Sequence, residues 1–408
     1  MRISTASVYE NAATNFNNLQ ATIANSMEEV SSGVTLTSPA DNPSAAAQVL
    51  VATQSSAVNT QFGVNLQNVT GALSSQDGIL SGVTNLMQSL ESQVVEAGSG
   101  GLNSSDRTSL ATQFQSGLSQ LMNLANSTDS NGNYVFSGTA AGTVPYTATS
   151  NGAQYNGNQE VQQLQVDATQ QLATTVVGSN IFGNIQVSPN AYFSIPNANN
   201  TSTATMSAGT VTNAAAVTND NYSVTFTSPT TYSVTDTSTG AAVGAANQPY
   251  TSGSPITIAG VQFSVTNGAG ATGVPATGDQ FSVQPGKQNI FQVLTNVIAA
   301  LNGPAGTAGD ATNLANSIGQ ANTSISSSLN NLLNVRDQIG NSMQQAASLT
   351  NVGTTVNLAF QTTISNLQDT NYAQAISDLS EEQFTYQAAQ KAFADTSQLS
   401  LITMLPVT

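Results

Sequence analysis

The sequence predicts a mainly α chain with an inserted β domain, its two ends coming back together as an elongated antiparallel coiled-coil or helical-bundle rod. Three observations carry this prediction. Apolar residues recur three and four apart through long proline-free stretches at both ends. Clusters of Gly, Pro and Asn interrupt those stretches at corresponding places. The middle turns to Thr, Ser and Asn with alternating β-branched and aromatic residues.

From the N-terminus, Tyr9, Ala12, Phe16, Leu19, Ile23, Ser26 and Val30 make a first heptad, which ends in the stretch 28–43. Gly33 suits a left-handed helix end, Pro39 cannot continue a helix, and Asp41 or Asn42 caps a new one whose first position is Pro43. A second pattern then runs without proline to Gly98 through Phe62, Leu66, Val69, Leu73, Gln76, Leu80, Val83, Met87, Leu90, Val94 and Ala97. At 1.5 Å per residue that helix is roughly 80 Å long, too long for an ordinary compact domain, hence the rod. Gly98–Gly101 breaks it. Ser104 or Ser105 with Asp106 starts an antiparallel return helix marked by Leu110, Phe114, Gly117, Leu121 and Leu124, and strands and turns follow up to about Phe182.

From about Pro189 the composition becomes that of a β domain. Tyr222–Thr225 and Tyr232–Thr235 flank Ser228-Pro229 as a hairpin, and Ile256–Ile258, Val261–Val265 and Gln280–Val283 read as further strands. Helical spacing resumes with Ile290, Val293, Leu294 and Val297 and stops at Gly303-Pro304. It continues through Ile325, Leu329, Leu332, Ile339 and Met343, then Leu349, Val352, Val356, Phe360, Ile364 and Leu367. Asp369–Asn371 is a second break, after which Tyr372, Ile376, Leu379, Gln383, Tyr386, Gln390, Phe393 and Ser400 repeat the heptad. The expected organisation is residues 1–42 paired with 370–408, residues 43–186 paired with 287–369, and a β domain over 187–286.

Only 6% of the 408 residues are charged, and the net charge is −16 with five Lys plus Arg, which argues against nucleic acid as a partner. The absence of His, Cys and Trp removes imidazole acid–base chemistry, thiol nucleophiles and the usual ligands for zinc, haem or iron–sulfur clusters, so no catalytic residue, cofactor or metal is expected. No apolar run reaches membrane-spanning length and residues 1–50 lack a signal-peptide core, so neither a membrane anchor nor classical secretion is expected.

Three short motifs have bland readings. Gly268–Gly273 matches a dinucleotide fingerprint, but Pro275 and turn residues follow where a helix is needed. Asp129, Asn131 and Asn133 have the spacing of a calcium loop without its glycine or closing acid, and read as a turn. Asp378, Glu381 and Glu382 share a helix face with no basic partner or cleft, and Arg107 and Arg336-Asp337 read as structural charges.

Each terminal helix alone buries little against an ordering cost of roughly 1–2 kcal/mol per residue, so both are expected to order on assembly. The expected assembly residues are Tyr9, Phe16, Leu19, Ile23, Val30, Tyr372, Ile376, Leu379, Tyr386, Phe393, Leu399 and Leu401, with Gly33, Pro39, Asn42 and Pro43 as the hinge.

The ordered motifs resemble a known family. Arg2–Thr5, Glu29–Gly33 and Ser38–Pro43 are similar to the N-terminus of bacterial flagellar axial proteins, the flagellin-like family. Asn131–Gly138, Val144–Tyr146, Tyr155–Gly157 and Val177–Phe182 resemble the segment after its rod helices, with Tyr146 where Phe is more familiar. Asp369–Ile376, Gln387–Lys391 and Leu399–Leu401 resemble its C-terminus. Asp41–Ala45 has Asn-Pro-Ser where a filament subunit more often carries Asp-Ala-Ala, which favours the junction branch. The resemblance implies a structural, non-enzymatic subunit between hook and filament, exported through the flagellar type III channel and located extracellularly. Its implied partners are further copies of itself in a ring or helical assembly, the other hook-associated junction protein, flagellin and a type III export chaperone. A flagellin of the filament itself is the alternative, and an extracellular adhesin using the β domain is the alternative of another class.

Overall fold

The computed structural model describes residues 5–99, 101–150, 152–186, 192–197, 199–218, 220–304 and 308–402. The chain divides into a terminal unit, residues 1–64 with 348–408, and a central unit, residues 65–347. It is mainly helical with a sheet-rich insertion.

Helix α1 is Thr5–Ser32, α2 is Pro43–Ala97 and α3 is Ser104–Ala125; α2 runs 55 residues without interruption. Asn42 is the cap of α2, its Oδ1 accepting from the Ala45 amide at 3.0 Å, and Pro43 fills the first helical position, where a missing N–H costs nothing. Asp41 organises the loop instead, accepting from the Ser38 amide at 2.7 Å and the Thr37 hydroxyl at 3.1 Å. Helix α3 is capped one residue earlier than the serines suggest. Asn103 Oδ1 accepts from the amides of Ser105 and Asp106 at 2.8 and 3.0 Å, and the Asp106 carboxylate accepts from the Asn103 amide at 3.3 Å. Asp106 thus lies where a reciprocal capping box needs it.

In the central unit the α2 heptad from Leu66 to Ala97 is buried at every position. Helix α3 returns antiparallel along it, with Gly82 beside Leu124 and Gly117 beside Leu90. A Cβ on Gly117 would sit 2.7 Å from Leu90 Cδ2, so glycine permits the close approach. The polar member of the heptad is explained by its partners. Gln76 Nε2 donates to the Thr174 carbonyl at 2.5 Å and its Oε1 accepts from the Val176 amide at 3.0 Å, tying a non-helical segment to the helix. Gln76→Ala strands both backbone groups away from water and is expected to cost about 2–4 kcal/mol by chemical denaturation. Ser75→Ala, on the exposed face of the same turn, is expected to cost less than about 0.5 kcal/mol.

Two hairpins follow, β1 (Tyr146–Thr149) with β2 (Gly152–Tyr155) and β3 (Gln163–Gln165) with β4 (Gln171–Ala173). A one-turn helix α4 (Gly178–Ile181) and strand β5 (Ile185–Gln186) lead to the insertion. The Tyr146 ring packs on Tyr155, Phe182 and Phe291, while its hydroxyl is buried without a hydrogen-bond partner; burial pushes the phenol well above its ordinary pKa.

The β domain contains β6 (Tyr192–Pro196), β7 (Thr205–Met206), β8 (Thr210–Val211), β9 (Tyr222–Ser228), β10 (Thr231–Asp236), β11 (Gln248–Pro249), β12 (Pro255–Ile258), β13 (Val261–Thr266) and β14 (Gln280–Pro285). The expected hairpin is β9 and β10, with Val224 opposite Val234 and a register shift at Thr231/Tyr232. One sheet has the order β11-β10-β9-β14-β6; the other has β12-β13-β7, with β8 also on β13. Alternation along the strands sends Val224, Phe226, Phe263, Phe281 and Val283 into one shared core. Tyr192 of β6 is registered opposite Pro285 of β14, and strand β15 (Lys287–Gln288) pairs with β5, so the insertion departs and returns at neighbouring points. Gly268–Gly273 lies in the loop before β14, and no helix follows it.

Helix α5 (Ile290–Leu301) buries Ile290, Val293, Leu294 and Val297 and packs on α3. Arg107 of α3 is only 6% exposed, and its guanidinium donates to the carbonyls of Ala300 at 2.9 Å, Gly303 at 3.0 Å and Pro304 at 3.3 Å. It therefore supplements the Gly303 amide, which reaches the Ala300 carbonyl at 3.3 Å, in closing the C-terminal end of α5, where a positive charge is favoured. Helix α6 is Ala308–Gln368 and α7 is Tyr372–Ile402. Ile325, Leu332 and Ile339 are buried and Leu329 and Met343 half-buried. Arg336 of α6 pairs with Asp77 of α2 through Nε at 2.8 Å and Nη2 at 3.3 Å.

Candidate assembly interface

Helices α1 and α7 pack antiparallel in the terminal unit. Along α1 the half-buried positions include Ala12, Phe16, Leu19, Ile23, Ser26 and Val30, the heptad predicted, with Ser7 and Glu29 besides; Tyr9 is 45% exposed, with its ring edge-on to Phe393 at 5.3 Å. Phe16 meets Tyr386 and Phe393 at 5.9 and 5.7 Å between ring centroids. One partner of this stripe is thus within the same chain, and among the described side chains of α1 none is fully buried.

The stripe on α7 departs from the one expected. Its covered positions are Ala375, Leu379, Glu382, Tyr386, Ala389, Phe393 and Ser397, whereas Gln383 and Gln390 face away. Tyr372 and Ile376, expected within the heptad, are each 52% exposed, and Phe384 is 72% exposed. Leu399 and Leu401 belong to α7, but their side chains lie outside the described residues. A one-residue displacement in the opposite direction occurs in the terminal part of α6. The covered positions there include Leu349, Gly353, Asn357, Phe360, Ile364 and Leu367, while Val352 and Val356 turn outward. Polar contacts fix this choice: Asn59 Nδ2 donates to the Gly353 carbonyl at 2.7 Å, and the Ser56 hydroxyl donates to Asn357 Oδ1 at 2.5 Å.

The seams of the terminal unit thus mix large apolar residues with small and polar ones such as Ala12, Ser26, Gly353, Asn357, Ala375 and Ala389, and further large apolar side chains are left outside. Leu50 at 69%, Leu358 at 63%, Val51, Met27 and Val58 join those already named. Most of the exposed large apolar side chains among the described residues fall in this unit, although it is the smaller of the two.

The break at Gly33, expected as a hinge, is held more firmly than a bare break would be. Gly33 has φ +72°, the left-handed conformation expected of a helix end, and a Cβ there would lie 2.6 Å from the Tyr372 hydroxyl. Residues 33–35 pair with the second break: Thr35 N–H donates to the Gln368 carbonyl at 2.7 Å and Thr370 N–H to the Gly33 carbonyl at 3.0 Å. The hydroxyls of Thr35 and Thr370 donate to Glu29 Oε1 at 3.1 and 3.4 Å. Pro39 is exposed in the loop before α2. Glu29, Thr35 and Thr370 were not singled out from sequence, because nothing in a heptad marks a contact between two breaks more than 300 residues apart in the chain.

The candidate chemical motifs remain structural. Asp129 Oδ1 accepts from the amides of Asn133 at 2.9 Å and Asn131 at 2.8 Å, and the backbone bond from Asn133 is the main force holding its carboxyl below the usual range. Among the described residues no group of three or more carboxylates can hold a metal, and no helix is long and apolar enough to cross a membrane. Asp378 accepts from Gln374 Nε2 at 2.7 Å, and Glu382 sits on the α7 seam with Oε2 buried and unpaired. A cavity of about 960 Å³ in the central unit is lined by Tyr146, Tyr155 and many amide side chains, with Lys287 its only other ionisable group.

Comparison with known proteins places this arrangement. Residues 3–141 match the bacterial flagellin N-terminal helical region, and residues 195–285 match the D2-like domain of flagellar hook-associated protein 1. Flagellar hook-associated protein 3 of Salmonella typhimurium is 28% identical over 402 residues, covering 98% of both chains; the Escherichia coli protein of the same name is 27% identical over the same share. Crystal structures of FlgL from Xanthomonas campestris (27% identical, TM-score 0.57, 77% of this chain and 99% of that one) and of hook-associated protein 3 from Legionella pneumophila (28%, TM-score 0.58, 78% and 98%) share the fold.

Proposed function

We propose that this flagellin-like chain of the hook-associated protein 3 type is a structural subunit of the bacterial flagellum, forming the junction between hook and filament. One observation carries the reading: with its seams already filled, the terminal unit still leaves Tyr372, Ile376, Phe384 and Leu358 exposed, large side chains suited to neighbours. Copies of the chain pack through these faces, with flagellin on one side and the other hook-associated junction protein on the other. Tyr9, Phe16, Leu19, Ile23, Val30, Leu379, Tyr386 and Phe393 build the helix pair that presents them. The role is mechanical and no catalysis is involved. Export through the type III channel, with a chaperone covering the terminal helices beforehand, suits a chain with no disulfide to break.

The discriminating experiment is loss of the gene. A junction subunit is expected to leave hooks bare and intact flagellin in the medium, and re-expression is expected to restore attached filaments. Disappearance of flagellin from both filament and medium would instead identify this chain as the filament subunit.

A further inference from the structure

The seam between α1 and α7 specifies its own register poorly. A heptad repeat superimposes on itself after seven residues, a shift of about 10 Å along a helix. Ala12, Ser26, Ala375 and Ala389 contribute little shape to distinguish one setting from the next. The aromatic contacts Tyr9–Phe393 and Phe16–Tyr386 favour the observed setting, but they belong to the same repeating stripe.

The paired breaks do not repeat. They combine two reciprocal backbone hydrogen bonds, a carboxylate of α1 shared by hydroxyls from both breaks, and a glycine whose missing Cβ makes room for the Tyr372 hydroxyl. The hydroxyls of Thr35 and Thr370 also lie 3.3 Å apart, and Thr370 is buried. A slip of one heptad separates every one of these partners.

We propose that Gly33–Thr35 and Gln368–Thr370, tied by Glu29, form a clamp that sets the heptad register of α1 on α7. The clamp thereby fixes how the outward side chains of α1 line up along the helix pair with those of α7. This inference concerns the single chain and deepens the assembly reading without depending on which neighbours the chain meets.

The chain has no cysteine, so introduced pairs report without background. Val34 and Asp369 face one another in the bridge between the reciprocal hydrogen bonds. Such a pair has Cα atoms about 4.5 Å apart, within disulfide range, so V34C/D369C in the full chain is expected to oxidise readily. Register is read by Phe16→Cys combined either with Phe393→Cys, a neighbour in the observed setting, or with Leu379→Cys, which a slip of one heptad brings alongside. With the clamp intact, the first pair is expected to cross-link and the second to remain largely reduced. Adding Glu29→Ala, Thr35→Val and Thr370→Val is expected to raise the yield of the slipped pair several-fold.

Comparable yields for both pairs with the clamp intact, no rise on removing it, or a V34C/D369C pair that stays reduced would each overturn the proposal. Normal filament attachment with mixed register counts against the clamp alone. Lost attachment with register intact counts against the junction role alone.

Discussion

Removing residues 1–42 and 370–408 is expected to leave the central unit folded and to abolish filament attachment completely. The central unit has its own core: the α2 heptad from Leu66 to Ala97, the buried face of α3 and α5, and the two-sheet cluster around Phe226 and Phe281 all lie within residues 65–347. The truncation takes away α1, α7 and the paired breaks, and with them Tyr372, Ile376 and Phe384. Thermal unfolding is expected to show the main transition within a few degrees of the full chain, while microscopy of a complemented deletion strain shows no attached filaments. Restored attachment by the truncated chain would move the interface elsewhere. A gentler version separates interface from stability. Ile376→Asp with Phe384→Asp changes exposed positions, so each is expected to alter stability by no more than about 0.5 kcal/mol while attachment falls sharply.

Arg107→Ala is expected to destabilise the central unit by about 2–4 kcal/mol, lowering its thermal midpoint with little effect on the terminal unit. Three carbonyls at the end of α5 and the following turn accept from this guanidinium, that of Ala300 sharing it with the Gly303 amide at 3.3 Å. Alanine leaves them facing a hole, with the favourable charge at the helix terminus gone. Some of the loss is recovered because a charge no longer has to be held out of water, which keeps the expected figure below the sum of three charged hydrogen bonds. Arg107→Lys tests geometry against charge: an ammonium restores one or two bonds and is expected to recover less than half of the loss. A stability unchanged by Arg107→Ala would show that solvent or a neighbouring side chain satisfies these carbonyls equally well.

Where residues are apolar and the partner lies within the chain, sequence was a faithful guide. Every heptad position from Leu66 to Ala97 is buried, the breaks at Gly33, Gly98, Gly303 and Asp369 all occur, and the hairpin around Ser228-Pro229 forms. The spacing of three and four residues dictates a helix face, and a face with a partner is a buried face. In α7 and the terminal part of α6 the rule misled by one residue. Tyr372, Ile376, Val352 and Val356 have the right spacing but the wrong side, because Ala375, Gly353 and Asn357 occupy the seam. A repeat declares that a face exists, without declaring which of two adjacent stripes meets this chain and which is left for others. Arg107 and the Glu29–Thr370 contact were illegible for a different reason: both depend on backbone carbonyls or hydroxyls brought together by tertiary packing.

The small ladder of β5 with β15, followed directly by β6 with β14, has a consequence for how such a chain diversifies. Because Tyr192 and Pro285 face one another, the chain enters and leaves the domain between them at neighbouring points, while Asn313 of α6 adds a hydrogen bond to the Asn200 carbonyl at 3.3 Å. Any fold whose ends lie about 5 Å apart fits the same socket. Heptads can then stay under the strict geometric demands of a shared lattice while the grafted surface drifts, shrinks or is exchanged, so that mechanical inheritance and surface identity are free to evolve at separate rates.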